Sequence, residues 1–284
     1  MLFSIIWGLW AQSMQNSSFS KGTETIYHGT ITHFSEIDVS KGEPYKDFGR
    51  GFYAAEKLNQ AEGLAISRKV GKMNAVASGI IRRPSGVTLC KFEANIIAYL
   101  YTYAFDIAKA KMFEKQGMLR IKVFESADLE WFDFVLHNRD TEPTIHEYDI
   151  VKGPTANDDT FFVINRYHTG KFGNVGSYSA KQKALKALKA QKLGIQYYFK
   201  NELAVSTLKK IEERIVMNVT QHDVTLLLEN MALILMKQTG KDQESVIKEL
   251  FLSKFYKELL EGKIEMAKMT PQTAVVCYET EAAQ

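Results

Sequence analysis

Two stretches hold residues whose types and spacing could do chemistry. Tyr27-His28-Gly29-Thr30 places an imidazole and a glycine straight after a short apolar run. Asp47-Phe48-Gly49-Arg50-Gly51-Phe52-Tyr53 places an aromatic pair after a glycine-rich turn that also carries a carboxylate and a guanidinium. Glycine exposes backbone N–H and C=O groups, an imidazole can hydrogen-bond a sugar hydroxyl, and a ring can stack on a flat base. Together these are the parts of a cleft for a flat, polar, phosphate-bearing ligand. Each has a plainer alternative. A lone histidine is ordinarily structural, Tyr53 alone would be core or rim, and Asp47 and Arg50 can pair to brace their own loop.

The elements that must position these residues can be read from periodicity. Thr25–His28 reads as a strand ending at Gly29, and Gly51–Ala54 as a second strand after the turn Lys41-Gly42-Glu43-Pro44. Leu58, Ala61, Leu64, Ala65 and Arg68 then recur at helical spacing. Val87–Glu93 alternates, which predicts a strand. Asp128 is placed to cap a helix running through Val135. Tyr148–Lys152 is rich in strand formers and is closed by Gly153-Pro154, whereas Asp159–Tyr167 fits either a buried helix or a strand. Ser179 should cap a helix to Lys192, Ile195–Phe199 reads as a strand, and Asn201 should cap a helix through Ala204, Leu208 and Ile211. From Val224 onward the periodicity is helical throughout: Val224–Lys237, Gln243–Phe251, Lys254–Glu261 and a closing helix after Pro271. The expected layout is an α+β domain over residues 23–215 and a small all-α domain over 220–284, after a flexible or mis-assigned leader at 1–22.

Composition narrows the classes. Apolar residues make up 45% of the 284-residue chain and charged residues 24%, so there is enough apolar surface for a core and no sign of bulk disorder. A net charge of +3 is too small to argue nucleic-acid binding by itself. The charge is uneven: residues 220–284 hold seven Lys and ten Asp/Glu, about −3, which leaves about +6 for the rest. The two cysteines, Cys90 and Cys277, form no metal-ligand spacing and no disulfide framework. His137, His146 and His168 show no zinc spacing, and Asn157-Asp158-Asp159 lacks the spacing of a calcium loop, so no metal is expected. Lys181, Lys183, Lys186, Lys189 and Lys192 read as a solvated helix face, with a nucleic-acid backbone or an acidic partner as the alternative. Leu2–Trp10 is apolar but the first cation is Lys21, so the run lacks the positive start of an export signal and is too short to span a bilayer. An upstream start ahead of Met14, or an added remnant, accounts for it, with a degenerate export signal at 1–13 as the other reading. A cytoplasmic protein without a membrane partner is expected.

The two opening stretches resemble the first two signature motifs of the ADP-ribosyltransferase superfamily, in its diphtheria-toxin and poly-ADP-ribose-polymerase branch: histidine-glycine-serine/threonine on one strand, then a glycine-x-tyrosine strand followed by a helix. Residues 27–65 are more closely similar to a bacterial domain-of-unknown-function family placed near that superfamily. That family is marked by Tyr-His-Gly, by Asp-Phe-Gly-x-Gly-Phe-Tyr and by a helix containing Gln-Ala, here Gln60-Ala61. Tyr148–Asp158 and the Gln196–Phe199 strand match further segments of it in order. The acidic tail, with Glu229-Asn230-Met231-Ala232, resembles a second uncharacterised bacterial family of small helical domains.

The resemblance implies a split β-sandwich with flanking helices and NAD as substrate. It implies that the Gly29 backbone holds the nicotinamide carboxamide, that His28 bonds the adenosine ribose and that Tyr53 stacks on nicotinamide. Thr30, Asp47, Phe48, Gly49, Arg50, Gly51 and Phe52 would complete the cofactor-binding set. The third motif of the superfamily carries a carboxylate that offsets the oxocarbenium-like ribose. Here that position is Gln196, or Tyr198 if the register shifts by two. Losing one such electrostatic contact costs about 10²–10³ in rate, and Asp47, Asp158 and Glu202 are candidate substitutes. The implied activity is transfer of ADP-ribose to an intracellular macromolecule, protein or nucleic acid, as in a bacterial toxin or effector, with the tail docking a partner. The other implied reading is an NAD- or ADP-ribose-binding module without turnover.

Overall fold

The computed structural model describes residues 22–140, 146–155, 158–188, 194–216, 221–266 and 269–283. The leader at 1–13, Asn157, Lys189 and Lys192 lie outside them. Seven strands form one sheet: β1 (Thr23–Thr30), β2 (Phe52–Ala55), β3 (Tyr99–Asp106), β4 (Ile121–Val123), β5 (Ile150–Pro154), β6 (Ile195–Phe199) and β7 (Leu208–Ile215), in the order β4-β5-β6-β2-β1-β3-β7. Eleven α-helices accompany them among the described residues: α1 (Leu58–Ala77), α2 (Leu89–Ala94), α3 (Ile107–Lys115), α4 (Leu129–Asp140), α5 (Asp158–His168), α6 (Tyr178–Ala187), α7 (Glu202–Val205), α8 (Gln221–Thr239), α9 (Gln243–Leu252), α10 (Lys254–Leu260) and α11 (Pro271–Ala282). The α+β expectation is therefore met. Among the described residues no helix is long and apolar enough to cross a membrane.

The chain divides into two compact units. Of the described residues, the first comprises those up to Ile26, Ser35–Lys57 and Tyr103–Ile211. Here β6 runs antiparallel to both its neighbours, and the register places Tyr198 opposite Tyr53 on β2 and Val151 on β5, and Gln196 opposite Ala55 and Gly153. Side chains two apart on a strand share a face, so Gln196 and Tyr198 project from β6 on one side, flanked at Gln196 by two small residues. Helices α4, α5 and α6 cover that side: Trp131, Phe132, Val135, Ile164, Tyr167 and Ala184 share a buried cluster with Phe48, Val151 and Tyr198. On the other side of β6, Tyr197 packs under the Lys152 ammonium, 5.0 Å from its ring centroid.

The second unit comprises Tyr27–Phe34, Leu58–Thr102 and Glu212–Gln284. Its core joins α1 and α2 to the C-terminal helices: Val70, Met73, Leu89 and Cys90 pack with Leu228, Met231, Leu250 and Tyr256. A buried ion pair sits inside it. Lys69 Nζ lies 2.7 Å from Glu93 Oε1, with 2% and 0% of the two side chains exposed. Tyr256 Oη donates to the same oxygen at 3.1 Å.

Three sequence expectations change. Val87–Glu93 is not a strand: Thr88 Oγ1 accepts the Lys91 N–H at 3.3 Å, and α2 starts there with Leu89, Cys90 and Glu93 buried at helical spacing. Asn201 does cap a helix, but α7 is a single turn, and Leu208 and Ile211 belong to β7 rather than to its continuation. The helix expected from Ser179 begins one residue earlier, at Tyr178, because Ser177 supplies the cap. Asp159–Tyr167, open between helix and strand, lies in α5.

Candidate functional site

A buried polar arrangement in the first unit centres on Asp47. Its carboxylate is buried, and the two residues that donate to it come from different elements, α4 and β6. Arg139 donates from Nε and Nη2 to Oδ1 at 2.9 and 2.6 Å. Gln196 Nε2 donates to Oδ2 at 2.7 Å. An ionised carboxylate is acceptor-only, so it also fixes which end of the Gln196 amide faces it. Arg139 reaches Asp47 because α4 is pinned at its start. Asp128 Oδ1 accepts the Trp131 N–H at 2.9 Å, as its capping position predicted, and the buried Trp131 indole donates to Pro154 O at 3.1 Å. Arg139 then falls in the last turn of α4.

The glycine-rich loop after Asp47 is tied down by the tyrosines around it. Tyr53 Oη donates to Gly49 O at 2.6 Å and accepts the Phe48 N–H at 3.0 Å. Gly49 has φ +88°, a conformation that favours glycine. Tyr198 Oη donates to Arg50 O at 3.0 Å, and Arg50 Nη1 donates to Gly42 O at 2.9 Å. The half-buried Tyr53 ring lies nearly parallel to Phe48, with centroids 6.4 Å apart, and 5.3 Å from Tyr198. Burial raises the Tyr53 hydroxyl well above the ordinary phenol value, and the negative charge of Asp47 adds to this. So Tyr53 holds its proton and acts as a donor.

His146 completes the clamp. Its Nε2 lies 2.8 Å from Phe48 O, and its Nδ1 accepts the Tyr148 N–H at 3.2 Å. That pair of contacts requires the neutral tautomer with the proton on Nε2. Burial lowers the His146 pKa, in keeping with a neutral ring. The expectation that Asp47 and Arg50 bind ligand or brace their own loop gains a third possibility: Asp47 braces the loop through Arg139 and Gln196.

His28, Gly29 and Thr30 lie in the second unit. The His28 ring is 5.7 Å from Phe34, edge-on, and 6.3 Å from Tyr101. Phe34 stacks on Tyr101 at 4.3 Å, and its N–H donates to Tyr101 Oη at 3.0 Å. Gly29 is required by packing: a Cβ there would stand 1.8 Å from Ala61 O on α1. Thr30 is buried, and its Oγ1 accepts the Thr32 N–H at 3.1 Å.

Of the other candidates, Asp158 opens α5 and Glu202 opens α7. Lys181 pairs with Asp133 at 2.7 Å. Sequence reasoning missed Arg139 and His146. Arg139 sits in a helical run with no motif around it, and His146 carries no spacing to another ligand. Only the demand that a buried Asp47 find a cation could have pointed to an arginine, without saying which.

Neither a curated protein nor a solved structure matches the chain. One family model does, over residues 25–210, which include the Asp47 loop, Arg139 and Gln196. The chain belongs to the family described as Protein of unknown function (DUF3990).

Proposed function

We propose that this chain is an ADP-ribosyltransferase-like protein that binds NAD or ADP-ribose and turns NAD over slowly or not at all. The observation that carries this reading is the Arg139–Asp47–Gln196 chain. At the position where the resemblance calls for a carboxylate, Gln196 offers an amide, and the carboxylate beside it is neutralised by a guanidinium. An oxocarbenium-like ribose would meet no net negative charge there. Phe48, Gly49 and Arg50 are held by Tyr53, Tyr198 and His146, so the loop is a fixed rim for ligand rather than a moving part. In the second unit, His28 is half-buried, with its ring 5.7 Å from Phe34 and 6.3 Å from Tyr101. The split β-sandwich belongs to this reading, whereas the described strands form one seven-stranded sheet in which β2 follows the glycine-rich loop.

Calorimetric titration with NAD and with ADP-ribose, run beside a nicotinamide-release assay, tests it. Binding of either with little or no release is expected; rapid release would replace this reading with the second one. That second reading is a working transferase, acting on a protein or nucleic acid, in which Asp47 supplies the missing carboxylate. The observation in its favour is that Asp47 Oδ2 already lies 2.7 Å from Gln196 Nε2. It requires ligand binding to draw Arg139 away.

A further inference from the structure

β7 is the last strand in the sheet order, so one of its edges has no strand beside it among the described residues. Its sequence is Leu208-Lys209-Lys210-Ile211-Glu212-Glu213-Arg214-Ile215, and every residue from Lys209 to Glu213 is exposed. Ile211 is 59% exposed and Ile215 54%, unusual for β-branched apolar side chains on a strand. A strand edge offers backbone N–H and C=O groups as a template for another strand, and natural proteins commonly guard such edges with charge. A guard of one sign repels every copy of itself. This one does not, because its charges are ordered: two lysines, one isoleucine, two glutamates.

Rotating the strand by two-fold symmetry about Ile211 brings a second copy alongside in antiparallel register. Lys209 then opposes Glu213, Lys210 opposes Glu212, each twice, and Ile211 opposes Ile211. Opposed residues on antiparallel strands share a face and interact directly. Slipping by one residue in one direction sets Lys209 against Arg214, and in the other Leu208 against Glu213. Parallel pairing in register sets lysine on lysine. The charge order therefore selects one partner, one direction and one register.

We propose that β7 is the interface of an isologous homodimer, in which two copies pair antiparallel about Ile211 and the sheet continues from one copy into the other. Glu213 meets His33 at 2.8 Å, and Lys210 Nζ lies 3.4 Å from Ser35 O. Both are surface contacts that an opposing strand would rearrange rather than break into a core. A single strand pair buries less than a stable interface of about 1,200 Å², so association depends on concentration. The proposal is independent of the nucleotide reading.

Sedimentation velocity of the full chain tests it with two charge variants. The native chain should shift from monomer toward dimer over about 1–100 μM, as mass action requires, and the shift should shrink in high salt. Lys209→Glu with Lys210→Glu, and separately Glu212→Lys with Glu213→Lys, should each remain monomeric across the same range. Mixing the two variants should restore a dimer, because all four facing pairs become opposite in sign again. Restoration also shows that both variants are folded. A native chain that stays monomeric at every concentration overturns the proposal and leaves β7 as a charge-guarded edge. So does a dimer that survives in either variant, or a mixture that does not associate.

Discussion

At the scale of residues, each unit holds a buried carboxylate against a cation: Asp47 with Arg139 in the first and Glu93 with Lys69 in the second. Truncating one partner of a buried ion pair leaves the other charge uncompensated, at a cost of about 3–5 kcal/mol. Arg139→Ala should therefore lower unfolding stability by that order, measured as the shift of a denaturant midpoint. Asp47→Asn with Arg139 retained should also destabilise. His146 gives a pH signature. Burial holds its folded pKa below the ordinary value of 6.5. A base depressed in this way contributes stability that is fully present above the unfolded value and is lost as pH falls from there toward the folded value. Native stability minus that of His146→Gln should therefore shrink as pH is lowered through about 6.5, and stay flat above it. Equal differences at all pH values would contradict the neutral clamp. Cys90 is buried, and burial with nearby Glu229 and Glu93 pushes its thiol up to about 12, whereas Cys277 is exposed. A thiol reagent near neutral pH should label one cysteine in the folded chain and both after unfolding.

At the scale of elements, what could be read depended on which force fixed each one. Strands β1, β2 and β6 were legible because apolar and aromatic runs were bounded by glycine or asparagine: Gly29 within the end of β1, Gly51 before β2 and Asn201 after β6. The Asp128 and Asn201 caps were legible because their side chains act locally. β7 was not, since its strand state comes from its place in the sheet while its own pattern is mostly charge. β3 went unread even though Tyr99–Asp106 is rich in strand formers, lacking the turn residues that announce a boundary. α2 was misread because a seven-residue run satisfies both alternation and helical spacing, and the Thr88 cap decides between them. In the candidate site, the loop and Gln196 stood out by type and order, but the Arg139–Asp47 contact joins residues 92 apart in sequence. Packing at Gly29 gives an element-scale prediction. Gly29→Ala forces β1 away from α1, because its Cβ would stand 1.8 Å from Ala61 O. Overpacking of this kind costs about 1–3 kcal/mol, and the thermal midpoint should fall accordingly.

At the scale of the whole molecule, the acidic tail is bound into a core it shares with α1 and α2. The change of pattern near residue 220 marks where strands stop, which is a different property from where a core ends. Deleting residues 220–284 should expose the apolar face of α1 and the buried Lys69–Glu93 pair, so the truncated chain is expected to aggregate, as judged by light scattering. A soluble, monodisperse remainder would show that the first 219 residues close their own core.

The central claim is that the chain keeps a nucleotide site while the charge needed for turnover is neutralised by Arg139. The most direct measurement is a titration of the native chain with NAD and ADP-ribose in a calorimeter, with nicotinamide quantified in the same samples. Saturable binding of either ligand, with nicotinamide release at or near the uncatalysed level, is the predicted result. Rapid nicotinamide release, or no binding of either ligand to a folded preparation, would contradict it.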